Sequence, residues 1–343
     1  MAKVLVTGAS GFLALHIIGQ LLSEGYSVIG TVRSQSKIEK LMSQFKTKYP
    51  EAVANLQFEI VPDIQLEGVF DKLFIEHKDI DFVLHTASPF SFGLEGSFDD
   101  VYLKPAVNGT LNVLKSIKNF ASQVKKVVIT SSMAAIDNMG DHELIHTEDI
   151  WNPLEWEQVN HEQLAYVASK KYAEKSAWDF IKDNAQQINF KLVTITPPFI
   201  FGPQFFDEDA SSSTLNTSAN VINQLLKSSP DDTHLFDQPS LCAVDVRDVA
   251  NFHVLSIKKE NISNQRLFPI ASRFTSQGIL DIINANFKDL NIAKGDPENE
   301  ASIPTPKFNN DKSIKAVGGY EFISLERQVV DSVNQILKQT SKL

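Results

Sequence analysis

Hydrophobic and polar positions along the chain switch repeatedly between two periods. Short, nearly continuous apolar runs read as strands covered on both faces, at Val4–Val6, Ser27–Val32, Leu56–Val61, Phe82–His85, Val127–Thr130 and Leu192–Thr196. Between them lie stretches of helical spacing: Leu15, Ile18, Leu21 and Leu22 after the first run, then Ile38–Tyr49, Val69–His77, a helix from Pro105 to about Phe120, and one over roughly Glu162–Asn184. Strands alternating with helices predict an α/β fold with a doubly wound parallel sheet. In such a sheet ligands sit beyond the carboxyl ends of the strands. That places Thr7–Gly11, Arg33, Asp63, Thr86–Pro89 and Ser131–Met133 along one edge. Beyond Gly202 the pattern changes. Gln204–Thr217 is polar, Ala219–Lys227 and Asp248–Ile257 read as helices, and Ala243–Val246 is expected to return to the sheet. The remainder, with the Pro- and Asn-rich stretch Pro297–Asn310, should form a smaller C-terminal lobe.

Composition narrows the possibilities. The 343 residues suffice for one large domain or two modest ones, and 43% apolar with 22% charged residues is ordinary for a globular protein. The net charge of −10 argues against nucleic acid or an anionic membrane as partner, and it means that an anionic ligand needs locally placed cations. A single cysteine, Cys242, excludes a disulfide framework. No run has the length of a membrane span, and the short apolar start leads into a motif rather than a cleavage site, so a cytoplasmic location is expected.

The first strand runs into Gly8-Ala9-Ser10-Gly11-Phe12-Leu13-Ala14. Gly8 can turn the chain tightly, Gly11 lets backbone approach a pyrophosphate, and Ala14 keeps helix close to strand. The helix N-terminus then offers free N–H groups and a positive dipole end to phosphates. At the end of the second strand a site for NAD usually carries Asp or Glu; here stand Arg33, Ser34, Gln35, Ser36 and Lys37. A guanidinium can bind a 2′-phosphate bidentately, so NADPH is the expected cofactor. Asp63, ending the third strand, can accept a hydrogen bond from an adenine amino group or simply form a turn after Pro62. The division expected is a nucleotide-binding domain over residues 1–198 and about 240–270, and a substrate lobe over about 199–239 and 271–343.

Tyr166 and Lys170 lie four apart on a predicted helix and share a face, and no other of the six tyrosines has a lysine at that spacing. Carbonyl reduction calls for such a pair. Hydride arriving at carbon builds negative charge on oxygen, a phenol can supply the proton, and a nearby ammonium is expected to lower its pKa. Ser132, beyond the fifth strand, is placed to hold the carbonyl oxygen.

These segments, taken together, resemble the extended short-chain dehydrogenase/reductases, and among them fungal NADPH-dependent aldehyde, ketone and methylglyoxal reductases close to plant dihydroflavonol reductases. The resemblance rests on Thr7–Ala14, Arg33–Lys37, Val61–Ile64, His85–Phe90, Thr130–Ser132, Tyr166–Lys170, Phe201–Gln204, Leu215–Ser218 and Val244–Ala250, which span most of the chain. It implies a Rossmann fold, with Ser132, Tyr166 and Lys170 as catalytic residues. The cofactor contacts expected are Thr7, Gly8, Ser10, Gly11, Phe12, Leu13, Arg33, Lys37, Asp63, Ile64, Thr86, Ala87, Tyr166, Lys170 and Pro197, and the resemblance adds Ile200 and Ser218. Two positions depart from the pattern. Ala106 stands where many relatives place a relay asparagine, and Met133 where fungal relatives often carry an aromatic.

Phe90, Phe92, Met133, Val167, Phe199, Phe205 and Phe206 are candidates to line an apolar substrate pocket. A nucleotide-sugar epimerase or dehydratase is the alternative on this fold, and it must hold a second diphosphate. Between Pro197 and Ser240 the only basic residue is Lys227, against six carboxylates, so a small uncharged carbonyl compound fits better. A non-catalytic NADP(H)-sensing protein is the other alternative, and the Tyr166/Lys170 pair speaks against it. His85, His142, His146, His161 and His253 show no metal-ligand spacing, and no metal is expected. Asp245, Arg247 and Asp248 are expected to hold the domain junction by charge pairing, with Asp248 as a helix N-cap. The chain is expected to act as a monomer or homodimer.

Overall fold

The computed structural model describes residues 1–89, 93–137, 141, 143–211, 215–232, 240–296 and 303–340. Its centre is a seven-stranded sheet in which every pairing is parallel. The strands are β1 (Lys3–Thr7), β2 (Ser27–Val32), β3 (Leu56–Ile60), β4 (Ile80–His85), β5 (Lys126–Thr130), β7 (Lys191–Ile195) and β10 (Gln265–Leu267), after a short β6 (Ile145–His146) outside this sheet. Their spatial order is β10-β7-β5-β4-β1-β2-β3. The order reverses between β1 and β4, and the crevice beyond their carboxyl ends is where such a sheet binds ligands.

The apolar runs are continuous because both faces are covered. Val4 and Val6 point into one core with helices α1 (Phe12–Ser23) and α7 (Val246–Lys258), where Ile17, Ile18, Leu21, Val249 and Phe252 are buried. Leu5 and Ile29 point into a second core beneath α3 (Asp71–Glu76), α4 (Lys104–Phe120) and α5 (Glu162–Asp183), with Leu73, Phe74, Val113, Leu114 and Ala177. The remaining α-helices among the described residues are α2 (Gln35–Lys48), α6 (Thr217–Leu226), α8 (Ser276–Asn286), a short one at Asp311–Ala316 and a C-terminal helix, Leu325–Thr340.

The return to the main sheet is made elsewhere than the sequence suggests. Residues 243–246 do not rejoin it: β9 (Leu241–Asp245) pairs with β8 (Phe199–Phe201) and β11 (Ser272–Phe274) in a separate three-stranded sheet. That sheet covers a third core of Phe201, Ile222, Phe274, Ile279 and Val333. The seventh strand of the main sheet is β10, which carries a buried arginine and so lacks an apolar signature. The α7 cap also shifts: Asp245, rather than Asp248, accepts the Arg247 N–H at 2.8 Å. Arg247 pairs with Asp245 at 2.8 Å and with Asp331 at 2.7 Å, tying the start of α7 to the C-terminal helix. Asp248 sits one turn in, accepting from Tyr320 and the Ile323 N–H, and burial lifts its carboxyl to about 6.

Candidate active site

The turn after β1 is built by its neighbours. Thr86 donates its hydroxyl to the Thr7 carbonyl at 2.6 Å, and the Ala87 N–H donates to Thr7 Oγ1 at 3.1 Å. These bonds draw the end of β4 onto the end of β1. Ala87 Cα would then lie 2.9 Å from a Cβ at position 8, and Gly8 has φ +67°, so only glycine fits on both counts. Gly11 caps α1 with extended backbone, and no acidic residue stands in the first turn, which leaves the helix dipole free to meet an anion.

A cleft of about 310 Å³ opens above this turn. It brings together Gly8, Gly11, Phe12, Leu13, Thr86, Ser132, Tyr166, Lys170, Pro197, Ile200 and Ser218, residues the sequence names from six separate segments. Ala14, Thr130, Ser131, Pro198 and Asn216 also line it, and among the described residues Lys170 is its single charged residue. Their adjacency to Leu13, Ser132, Pro197 and Ser218 was the available signal. Thr7 and Ala87 lie just beneath through the bonds above, and Ser10 is exposed on the turn.

The end of β5 and one helix, α5, fix the reactive groups. Ser132 follows β5 and caps a short helical turn, its Oγ accepting from the Ala134 N–H at 3.1 Å. Its hydroxyl hydrogen is therefore free for another acceptor, and Ser132 hydrogen-bonds the Tyr166 hydroxyl. Tyr166 and Lys170 stand one turn apart on α5, the Lys170 Nζ 5.5 Å from the Tyr166 ring centre and 2.8 Å from Ser88 Oγ. Burial lowers the Lys170 ammonium to about 8. Burial also pushes the Tyr166 hydroxyl above its ordinary range, with the Ser132 hydrogen bond acting downward. The expected depression of Tyr166 by Lys170 is not found; desolvation dominates, and Ser132 is the group that opposes it.

The cofactor-selecting residues stand at the adjacent strand ends. Arg33 directly follows β2 and Lys37 lies in the first turn of α2; both are exposed, and neither side chain has a hydrogen-bond or ion-pair partner among the described residues. Unpaired cations at this place in a chain of net charge −10 suit a 2′-phosphate. With the glycine turn that a Cβ would block, they make the residues present a fit for NADPH. Asp63 Oδ1 accepts from the Gln65 N–H at 2.9 Å, as a turn-forming residue does. Ile64 packs its side chain into the space left by Gly109 of α4 and accepts a hydrogen bond from Asn112 on its carbonyl. Both stand at the end of β3 but outside the cleft lining.

The substrate candidates fare differently. Phe205 and Phe206 are buried away from the cleft: Phe205 fills a notch over Gly19, where its ring lies 2.3 Å from a would-be Cβ, and stacks on Tyr49 with ring centres 6.0 Å apart. Phe206 packs edge-on against Phe45. Met133 is buried with Ile136, Cys242, Phe268 and Ile270. Val167 is buried on α5, and Phe199 packs on Phe201 and Phe274. None of these five lines the cleft, because the residues after a strand end face core as readily as ligand. Phe90, Phe92 and His142 lie outside the described residues. Cys242 is buried with its thiol pushed up to about 12, so it is no nucleophile.

Comparison with known proteins agrees with this geometry. Residues 4–271 match the model of the NAD dependent epimerase/dehydratase family. The NADPH-dependent methylglyoxal reductase GRE2 of Saccharomyces cerevisiae is 42% identical over 98% of each chain. A putative NADPH-dependent methylglyoxal reductase, GRP2 of Candida albicans, is 42% identical over 97% of this chain and 98% of its own. The crystal structure of yeast methylglyoxal/isovaleraldehyde reductase Gre2 complexed with NADPH superimposes with a TM-score of 0.92, at 40% identity, over 99% of this chain and 100% of that one. UDP-glucose 4-epimerase of Thermotoga maritima, at 19% identity and a TM-score of 0.70, shares the fold alone. With the glycine turn, the parallel sheet and the Ser132–Tyr166–Lys170 cluster in place, the chain belongs to the NAD dependent epimerase/dehydratase family, the extended short-chain dehydrogenase/reductases.

Proposed function

We propose that this protein is a cytoplasmic, NADPH-dependent reductase of small apolar aldehydes and ketones, acting as a monomer or homodimer. The observation that carries the reading is the convergence of Ser132, Tyr166 and Lys170 in a cleft floored by the Gly8–Leu13 turn. Relatives matching 97–98% of this chain include the NADPH-dependent methylglyoxal reductase GRE2 and GRP2, named a putative one, and a further relative, 36% identical, is a ketoreductase of Aspergillus niger. Among the described residues no helix is long and apolar enough to cross a membrane.

Gly8, Gly11 and the α1 N-terminus would hold the pyrophosphate, Arg33 and Lys37 the 2′-phosphate, and Lys170 with Ile200, Pro197 and Ser218 the nicotinamide end. Bound there, NADPH supplies the hydride. The chain's own residues manage the oxygen. With substrate in place, the Ser132 hydroxyl hydrogen turns from the Tyr166 oxygen to the carbonyl oxygen and polarises it. Tyr166, kept protonated by burial, gives its proton to the oxygen as charge builds there. The Lys170 cation stabilises the phenolate left behind, an interaction that matters most once Tyr166 is ionised.

The epimerase alternative is less supported. Among the described residues Lys170 is the cleft's single cation, whereas a second diphosphate needs several. The acidic run Asp207–Asp209 faces away, with Asp207 paired to Lys338 and Asp209 to Lys40. Incubating the purified protein with NADPH and a panel of aldehydes and ketones, while following cofactor absorbance and alcohol formation, tests the assignment. Absence of oxidation across the panel refutes it.

A further inference from the structure

We propose that Glu174 is a positioning residue for the Ser132–Tyr166 pair, acting through Ser131. The proposal rests on the reading of that pair as the reactive centre. Tyr166, Lys170 and Glu174 succeed one another at four-residue spacing along α5, so the helix that presents the phenol and the ammonium also presents this carboxylate. The Glu174 side chain has no exposure to solvent. Its Oε1 accepts from Thr194 Oγ1 at 2.6 Å, Arg266 Nε at 2.8 Å and Trp178 Nε1 at 3.2 Å; its Oε2 accepts from Ser131 Oγ at 2.7 Å and Arg266 Nη2 at 3.1 Å. Three neighbouring strands therefore meet on one carboxylate: β5 through Ser131, β7 through Thr194 and β10 through Arg266.

A buried ion pair of this kind is poor value for stability, since desolvation of both charges offsets their attraction. Its effect here is geometric. Ser132 follows Ser131 directly, so the bond from Ser131 to Glu174 ties the strand end bearing Ser132 to the helix bearing Tyr166. The opposite face of the same strand end is tied too. Thr130 Oγ1 lies 2.7 Å from His253 Nε2, and His253 Nδ1 lies 2.8 Å from the Val249 carbonyl. The Nδ1 hydrogen thus goes to the carbonyl, and Nε2 accepts from Thr130. With both faces pinned, the Ser132 hydroxyl has one place to be relative to Tyr166.

The link is broken by Ser131→Ala, which spares the Glu174–Arg266 pair; removing the carboxylate itself would strand a buried arginine. Ser116→Ala is the matched control, deleting a buried hydroxyl that donates to the Asp71 carboxylate at 2.5 Å on the far side of α4. In protein labelled with 13C at the tyrosine ζ carbon, the Tyr166 resonance, identified by its loss in Tyr166→Phe, reports the hydrogen bond of its hydroxyl without any cofactor or turnover. The expected result is that Ser131→Ala moves this resonance to where Ser132→Ala puts it, while Ser116→Ala leaves it in place. In parallel, kcat falls about tenfold in Ser131→Ala with little change in the KM for NADPH. A Tyr166 resonance unmoved by Ser131→Ala overturns the proposal, whatever the activity. If the resonance moves but the wild-type protein reduces no carbonyl, the proposed function falls and the positioning role of Glu174 stands.

Discussion

The two glycines of the first turn make different demands, and separating them gives a sharp test of how the cleft is built. Gly8→Ala places a methyl 2.9 Å from Ala87 Cα, 3.1 Å from Ala87 Cβ and 3.2 Å from Ala87 N. The obstacle is largely backbone and cannot retreat, because the Ala87 N–H is bonded to Thr7 Oγ1 and Thr86 to the Thr7 carbonyl. A left-handed alanine costs about 1–2 kcal/mol, and overpacking against fixed backbone costs about 1–3 more. The sum, about 2–5 kcal/mol, should lower Tm by on the order of 3–7 °C in a chain of 343 residues. Gly11→Ala differs. Its φ of −77° suits any residue, and its nearest non-neighbour atom would be the Gly8 carbonyl oxygen at 3.2 Å. That contact is tight and the turn must give by a few tenths of an ångström, yet folding should lose less than in Gly8→Ala, about 1 kcal/mol. The methyl would nonetheless stand on the cleft lining where the pyrophosphate must approach, and NADPH should bind at least about tenfold more weakly, equivalent to about 1.4 kcal/mol. Thermal unfolding and fluorescence titration with NADPH measure both quantities on both variants. A Gly11→Ala protein that binds NADPH like wild type refutes the assignment of this turn to the pyrophosphate. A Gly8→Ala protein of unchanged Tm refutes the packing argument.

Tyr166→Phe should lower kcat by about 10²–10⁴-fold while NADPH affinity is kept, since only the transferable proton is lost; steady-state kinetics with a ketone and a direct binding titration check it. Arg33→Ala should raise the KM for NADPH by about 10–100-fold, from a lost charge-assisted contact worth about 1.5–3 kcal/mol, and leave the KM for NADH nearly unchanged. Lys170→Met should abolish turnover yet raise Tm at neutral pH. The Lys170 pKa is lowered to about 8 in the folded protein, so its protonated form disfavours folding below that value, and the penalty fades as pH rises towards the unfolded value; the Tm difference between the variant and wild type should accordingly shrink above pH 8.

Much of this architecture could be read from the sequence because parallel strands are covered on both faces and so appear as unbroken apolar runs; β1, β2, β4 and β5 are of that kind. The reading fails where the same signal has two meanings. An apolar run at residues 241–245 marks a strand but not which sheet receives it, and here it joins β8 and β11. The true seventh strand, β10, was illegible because its central residue is Arg266, whose burial is intelligible only once Glu174 is known to face it. At the site, glycines, strand-end serines and the Tyr166/Lys170 spacing were legible because each follows from local geometry. The apolar lining was not. Phe205 lies two residues past Pro203, yet it turns to fill a notch left by Gly19 of α1, a contact between distant parts of the chain that no local pattern encodes. Likewise, Tyr166 and Lys170 were seen as a pair, whereas the opposition between desolvation and the Ser132 hydrogen bond depends on packing.

The central claim is that the cleft reduces carbonyl groups with NADPH through Tyr166. Purified protein should be mixed with NADPH and an aldehyde such as methylglyoxal, with cofactor oxidation and alcohol product followed together, and the same measurement made on Tyr166→Phe. The wild-type protein should form one alcohol per NADPH oxidised, and the variant should show no appreciable oxidation. Equal rates from the two proteins, or a wild-type protein that oxidises NADPH with no carbonyl compound and instead carries tightly bound NAD, would contradict it.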